Sequence, residues 1–383
     1  RATTDNNKIV RLITKEAYLV GAKEVLVQWS DDEVSLLDGL HQSIETMKEV
    51  PEYVVKRAEY LVEENVCHIA ITSPVPGLLK DVDPNKLQAR ALATQTKLQF
   101  FQEFVMGNGV QWVVAAAPNP TWAKRVFPEA KSSDEAEKLL WEAILKASRV
   151  TKDNDPIKEW ELHNKTLSKH NNLLNELNFK SLHFKNGLGT DITVELIKDH
   201  IWSGGQEVSL KGVLFNPNIP TEETFTMPYK YGVNGKVVAT KPLNYQGKLI
   251  EDFWLEFKDG KVVNHFAKKE QAALEALLNL DEGSRYLGEI ALISHDSPIS
   301  NMNILFYNTL FDENASCHMA LGRAYPMNVK GGTNMTKEEL QAIDYNNSLN
   351  HEDFMFGSSD MEIVGTKYNG EKVVVFKNGN FAI

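Results

Sequence analysis

The pattern of the chain changes near residue 178, and this change limits the possible folds more than any other feature. Before it, short apolar runs at residues 24–29, 66–72 and 110–117 alternate with longer segments of helical periodicity. Such alternation is typical of βαβ units, so residues 1–178 are predicted to form an α/β domain with a mostly parallel sheet. After it, short strand-like runs, such as residues 181–184, 191–196 and 253–257, are punctuated by glycines and predict an α+β domain over residues 179–383, which carries the ionisable residues discussed below.

Local signals predict where several elements begin and end. Ser30 followed by Glu33 predicts a capping box at the start of a helix. Residues 43–64 are expected to be mostly helical, with a break at Pro51. The Asn-Gly pair at residues 369–370 is flanked by strand-like residues and predicts a β-hairpin close to the end of the chain.

Composition and charge exclude several classes of protein. The formal net charge of -11 at pH 7 repels phosphate, so nucleic-acid binding is not expected. No apolar run approaches the roughly 20 residues that cross a bilayer, so the chain is not expected to span a membrane. The two cysteines, Cys67 and Cys317, are too few for a disulfide-stapled secreted fold. Residues 1–13 show helix-like spacing rather than a signal peptide, so a cytoplasmic location is predicted.

Glutamates stand in unusual settings in two segments of the second half. In residues 217–228, three prolines fix an extended path around Glu222 and Glu223. Nothing local decides which of the two matters, and paired glutamates in a loop are commonly just solvated. In residues 288–294, Glu289 leads an apolar run, where a buried carboxylate must be paired, protonated or bound to a metal. The alternative is an exposed glutamate at the start of a strand.

Histidines stand out in two further segments. His318 lies among small and apolar residues that follow a polar turn, where a single histidine is commonly a hydrogen-bonded core residue. His351 and Asp353 are two residues apart, so in an extended segment both side chains face one ion while Glu352 points away. This short pattern also arises easily by chance.

Charge connects these segments. Glu223, Glu289, Glu313 and Asp353 would each carry one negative charge. Two carboxylates about 4 Å apart repel by about 4 kcal/mol at an effective dielectric constant near 20, so a cluster would protonate unless cations filled it. Two divalent cations would balance four carboxylates. Oxygen and imidazole ligands without thiolates suit zinc, cobalt or manganese.

Four segments, PTEETFTMP, GEIALIS, ENASCHMALGRAY and HEDFMFGS, resemble the aminopeptidase T, AmpS and PepS group of thermophilic metallopeptidases. The resemblance extends over essentially the whole chain and includes the early segment GAKEVLVQWSDDE. It implies that Tyr325 is catalytic, and it selects Glu223 rather than Glu222, which the residues alone leave open. It also implies a homodimer. The metal ligands that it implies are Glu223, Glu289, Glu313, His318, His351 and Asp353.

The predicted function is therefore that of a metal-dependent aminopeptidase. Two divalent ions, zinc or cobalt first and manganese or magnesium next, would activate a water that releases N-terminal residues from peptides with a free N-terminus. Glu289, or an unligated oxygen of a neighbouring carboxylate, would shuttle a proton to the leaving amine, and Tyr325 would donate a hydrogen bond to the oxyanion. Two alternatives remain open: a dinuclear phosphoesterase and a non-enzymatic α/β protein that binds a small ligand.

Overall fold

The computed structural model of the chain describes residues 1–245 and 248–383. Its α-helices are, in chain order, α1 (Asn7–Leu19), α2 (Asp32–His41), α3 (Ile44–Met47), α4 (Glu52–Glu63), α5 (Pro84–Lys97), α6 (Gln99–Met106), α7 (Pro120–Val126), α8 (Ser133–Ala147), α9 (Pro156–Leu177), α10 (Gln271–Leu278), α11 (Pro298–Met302), α12 (Thr309–Asp312) and α13 (Lys337–Ala342). Within these two ranges, no helix is both long and apolar enough to cross a bilayer.

The strands are short in the first half and longer in the second. In chain order they are β1 (Ala2–Thr3), β2 (Trp29–Ser30), β3 (His68–Thr72), β4 (Trp112–Ala116), β5 (Phe179–Lys185), β6 (Asp191–Leu196), β7 (Glu207–Val208), β8 (Leu214–Phe215), β9 (Thr224–Thr226), β10 (Pro228–Val238), β11 (Leu243–Tyr245), β12 (Lys248–Lys258), β13 (Lys261–Lys269), β14 (Leu287–Leu292), β15 (His318–Gly322), β16 (His351–Met355), β17 (Glu362–Lys367), β18 (Lys372–Lys377) and β19 (Asn380–Phe381).

The chain divides into two compact units, both with helices and strands. The first comprises Arg1–Ser148 and Gln206–Ile219, and the second comprises Arg149–Gly205 and Pro220–Ile383. Helix α9, which precedes the predicted boundary between residues 178 and 179, groups with the second unit. That residues 1–178 and 179–383 form two separate domains stays a prediction.

Two pairs of strands in the first unit are parallel. Strand β1 pairs with β2, and β3 pairs with β4 over the whole of both strands. Strands β3 and β4 correspond to two of the predicted apolar runs, whereas the run at residues 24–29 forms a strand only from Trp29. That these pairs belong to one mostly parallel sheet stays a prediction.

Helix starts follow the capping side chains. Asp83, Asn119 and Asp155 cap helices α5, α7 and α9, and each is followed by proline at the first helical position, where the missing N–H has no partner to lose. The expected capping box at Ser30 and Glu33 is wrong. Asp31 caps α2 instead, because its carboxylate accepts a hydrogen bond from the N–H of Val34 at 3.1 Å.

The second unit contains two sheets that share one apolar core. The larger is antiparallel, with strand order β11-β12-β10-β6-β5-β17-β18-β19 and β13 paired to β12. The smaller has the order β16-β15-β14-β9 and is also antiparallel. Phe253 and Phe376 of the large sheet belong to the same buried cluster as Ile290, Met319 and Phe354 of the small one. One face of the small sheet is therefore committed to the core.

Candidate metal centre

The other face of the small sheet carries ionisable side chains. Strand pairing places Glu289 opposite Ala320, and Ala320 opposite Asp353. Partners opposite one another lie on the same face, so these three residues form one row across β14, β15 and β16. Ala320 has a small side chain and is fully buried, which leaves the space between the two carboxylates open.

The neighbouring rows complete the cluster. His318 is two residues before Ala320 on β15, and His351 is two residues before Asp353 on β16, so both imidazoles share the face of the carboxylates. His351 also faces Gly322, which has no side chain to obstruct it. Ile290, Met319 and Phe354, each next to one of these residues along its strand, point to the core instead. Because side chains alternate along each strand, the apolar ones lie on one face of the small sheet and the ionisable ones on the other.

Glu223 joins the cluster from the proline-rich segment just before β9. Its Oε2 lies 3.3 Å from Nε2 of His318, and Oε1 of Glu289 lies 3.4 Å from the same nitrogen. All three side chains are buried. One ligand atom from each of these residues lies within 4.8 Å of the others, which is the spacing of a group that can hold a metal ion.

A second group lies beside the first and shares Glu289 with it. Nε2 of His351 is 3.5 Å from Oδ1 of Asp353 and 3.8 Å from Oε2 of Glu289. Ligand atoms of these three residues also lie within 4.8 Å of one another. The two oxygens of Glu289 therefore face different imidazoles.

The carboxylates of this cluster favour protonated imidazoles when no cation is bound. Burial works to lower the pKa of each imidazole, but Glu223 and Glu289 raise the pKa of His318 well above its usual range, and Asp353 and Glu289 raise that of His351 to about 10. Burial also raises the pKa of Glu289. Cations that bind to this cluster must therefore displace protons.

Glu313 and Tyr325 lie at the margin of the cluster. Burial, and then the carboxylates of Asp353 and Glu223, raise the pKa of Glu313 well above its usual range. Glu313 is in neither of the two close groups of described residues. The ring centroid of Tyr325 is 4.6 Å from that of His351, and burial raises the pKa of its hydroxyl, with nearby carboxylates adding to the shift. Tyr325 thus keeps its proton at neutral pH.

The residues present suit divalent cations. Oδ1 of Asp353 is buried and accepts no hydrogen bond from any described residue, although the nitrogens of His351 and His318 lie 3.5 and 3.9 Å away. A buried carboxylate oxygen without a hydrogen bond is costly unless another group satisfies it. Carboxylate oxygens and imidazole nitrogens are the ligands that zinc accepts in catalytic sites.

The structure gives Glu222 and Glu223 different surroundings, although the residues alone did not decide which of them belongs to the site. Glu223 faces the cluster, whereas both carboxylate oxygens of Glu222 pair with the guanidinium of Arg149. Neither Arg149 nor Asn314, which also holds Glu222, was singled out from the sequence. Arg149 is 73 residues from Glu222, so no local pattern could have found the pair.

The chain is similar to known proteins along nearly its whole length. A profile of the family described as thermophilic metalloprotease (M29) matches residues 1–381. Aminopeptidase AmpS of Bacillus subtilis is 45% identical over 381 residues, which is 100% of this chain and 92% of that protein. Aminopeptidase 2 of Geobacillus stearothermophilus is 43% identical, over 98% of this chain and 90% of that protein.

A solved structure is also similar along the whole chain. It is the wild-type AmpT from Thermus thermophilus, with a TM-score of 0.92 and 34% identity, covering 100% of this chain and 93% of that one. The likeness supports the mixed α/β content described above. From these matches, the chain belongs to the M29 family of thermophilic metalloproteases and is a hydrolase of the metalloaminopeptidase class.

Proposed function

We propose that the chain is a dinuclear enzyme that releases N-terminal residues from peptides with a free N-terminus. The observation that carries this proposal is the position of Glu289 in both close groups of ligand atoms. A carboxylate that belongs to two groups of possible ligands could take part in holding two divalent cations.

The proposed ligands fall into two sets. Glu223, Glu289 and His318 would hold one cation, and Glu289, His351 and Asp353 would hold the other. Glu313 is proposed as a further ligand because the charges of the cluster act on it directly. When bound, such cations acidify water and polarise a carbonyl group, which is the chemistry that peptide hydrolysis requires.

The remaining steps belong to side chains of the chain itself. Tyr325 keeps its hydroxyl proton, and its ring is tilted against that of His351 with the centroids 4.6 Å apart, so it donates a hydrogen bond to the oxygen that becomes negatively charged during hydrolysis. Glu289, or an unligated oxygen of a neighbouring carboxylate, accepts a proton from the water that attacks the carbonyl carbon and passes it to the amine that leaves when the peptide bond breaks. The buried position of Glu289 beside His318 excludes bulk water from this transfer.

Activity measured after removal of metal tests the proposal. The purified chain is treated with a chelator, dialysed, and assayed on an unblocked peptide before and after addition of Zn²⁺, Co²⁺, Mn²⁺ or Mg²⁺. We expect no release of amino acids without metal, and recovery with zinc or cobalt. Activity that persists in the protein shown to be free of metal would contradict the proposal.

Two further substrates serve as controls in the same assay. The N-acetylated form of the peptide should not be cleaved, because the enzyme is proposed to require a free amine. A phosphate monoester should release no phosphate. Hydrolysis of the phosphoester at a rate comparable with that of the peptide would favour the phosphoesterase that the sequence left open.

Some parts of the proposal rest on the sequence or on the family likeness alone. These are the homodimer, the cytoplasmic location, and zinc or cobalt as the first choice of metal over manganese or magnesium. Peptides are proposed as substrates because the similar proteins are named aminopeptidases. Sedimentation of the purified chain tests the dimer, and metal analysis of protein purified without added metal tests the choice of ion.

A further inference from the structure

Glu222 is held by a buried ion pair that lies outside the metal cluster. Nη1 of Arg149 is 2.5 Å from Oε1 of Glu222, and Nη2 is 2.7 Å from Oε2. The two side chains are only 16% and 6% exposed. A buried ion pair needs good geometry to offset the loss of hydration, and the two parallel hydrogen bonds of a guanidinium provide it. The pair fixes the side chain of Glu222 and keeps it away from the cluster.

The backbone of the same segment is fixed at two successive residues. Nε2 of His163 lies 2.7 Å from the carbonyl oxygen of Thr221, which can only accept, so this nitrogen is the donor. The N–H of Glu222 donates to Oδ1 of Asn314 at 2.7 Å. Glu223 follows directly, so these contacts limit how far its backbone can move.

Asn314 connects this segment to a second proposed ligand. Its Nδ2 donates to the carbonyl oxygen of Leu310 at 3.1 Å and to Oε1 of Glu313 at 3.4 Å. Asn314 is fully buried. One amide group therefore contacts the backbone next to Glu223 and the carboxylate of Glu313, which lie 90 positions apart in the numbering.

We infer that Arg149, Glu222 and Asn314 are positioning residues that hold Glu223 and Glu313 at the metal cluster. The inference rests on the proposed function, since it assumes that these two glutamates bind metal. Ligands that are fixed before the ion arrives lose less conformational freedom when it binds. Groups that orient metal ligands through hydrogen bonds commonly change metal affinity by about 10 to 100-fold when they are removed.

The test measures binding of Co²⁺ to the full chain after its metal has been removed. Affinity comes from competition with a chromophoric chelator, and the visible absorption of Co²⁺ reports its coordination geometry. Asn314→Ala, which leaves the charge unchanged, is expected to weaken binding by about 10 to 100-fold and to alter the spectrum. Arg149→Lys keeps the charge but loses the paired hydrogen bonds, so it should shift both readouts in the same direction by a smaller factor.

Control variants separate positioning from general loss of structure. Asn186→Ala also removes an amide that both donates and accepts, in the contacts with Ser358, Leu188 and Thr190, and it should bind Co²⁺ like the wild type. Glu223→Gln should bind more weakly than every positioning variant. If Asn314→Ala does not fold, the Co²⁺ affinity and spectrum of Arg149→Lys test the inference instead.

Two results would overturn the inference, and they differ in meaning. Wild-type affinity and spectrum in both Asn314→Ala and Arg149→Lys, together with weak binding in Glu223→Gln, would show that the ligand set is right and the positioning role wrong. Unchanged binding in Glu223→Gln would show that the proposed ligand set itself is wrong, and the positioning role would fail with it.

Discussion

Tyr325 is the residue whose proposed role can be separated most cleanly from metal binding, because its hydroxyl is not among the proposed ligands. Replacing Tyr325 by Phe removes one hydrogen-bond donor and keeps the ring beside His351. Loss of one donor to a developing oxyanion lowers kcat by about 100 to 1,000-fold in comparable sites. We expect a fall of that order in kcat, with little change in KM, in steady-state kinetics on an unblocked peptide.

A matched variant guards against an indirect effect of the substitution. Tyr231 is 44% exposed and packs among other tyrosines away from the cluster, so Tyr231→Phe should retain wild-type kcat. If Tyr325→Phe turns over substrate as fast as Tyr231→Phe, Tyr325 takes no part in the reaction.

At the level of the strand, Ala320 explains how β15 can lie between two carboxylates without separating them. It faces Glu289 on one side and Asp353 on the other, and it is fully buried. Opposite residues have Cβ atoms about 4.5 to 5.5 Å apart, so two added methyl groups would reach into the space between the carboxylates. We therefore expect Ala320→Val to lower the amount of metal bound per chain and to lower activity with it.

The adjacent residue provides the comparison for this variant. Met319 points to the apolar core, and Met319→Leu is a substitution that preserves volume and costs less than about 1.5 kcal/mol in unfolding free energy. Metal analysis and urea unfolding of the two variants should show loss of metal only in Ala320→Val. Equal metal content in Ala320→Val and the wild type would place the cations elsewhere.

Elements were predictable from the sequence where local chemistry determines them. Strand β6 coincides with one of the strand-like runs, residues 191–196, and the Asn-Gly turn joins β17 to β18 with Gly370 at a φ of 85°. The start of α2 was misplaced because Ser30, Asp31 and Asp32 are all residues that can cap a helix. Only the three-dimensional path of the chain selects Asp31.

For the whole molecule, the convergence of the ligands depends on strand order, which no local pattern contains. Residues 223, 289, 318 and 351–353 lie in four separate segments, and they meet because the small sheet has the order β16-β15-β14-β9. The residue types and the charge argument could be read from the sequence, whereas the full set of proposed metal ligands came from the family likeness. Contacts between distant residues, such as that of Arg149 with Glu222, became visible only in the folded chain.

The number of divalent ions that one chain binds shows whether Glu289 is shared by two cations or the site holds a single cation. Titration of the metal-free full chain with Co²⁺ or Zn²⁺, followed by metal analysis, should reach a plateau at two ions per chain, as two ligand groups require. Glu289→Gln should lose tight binding of at least one of them, since this residue belongs to both groups. A plateau at a single ion that is the same in the wild type and in Glu289→Gln would contradict the dinuclear centre.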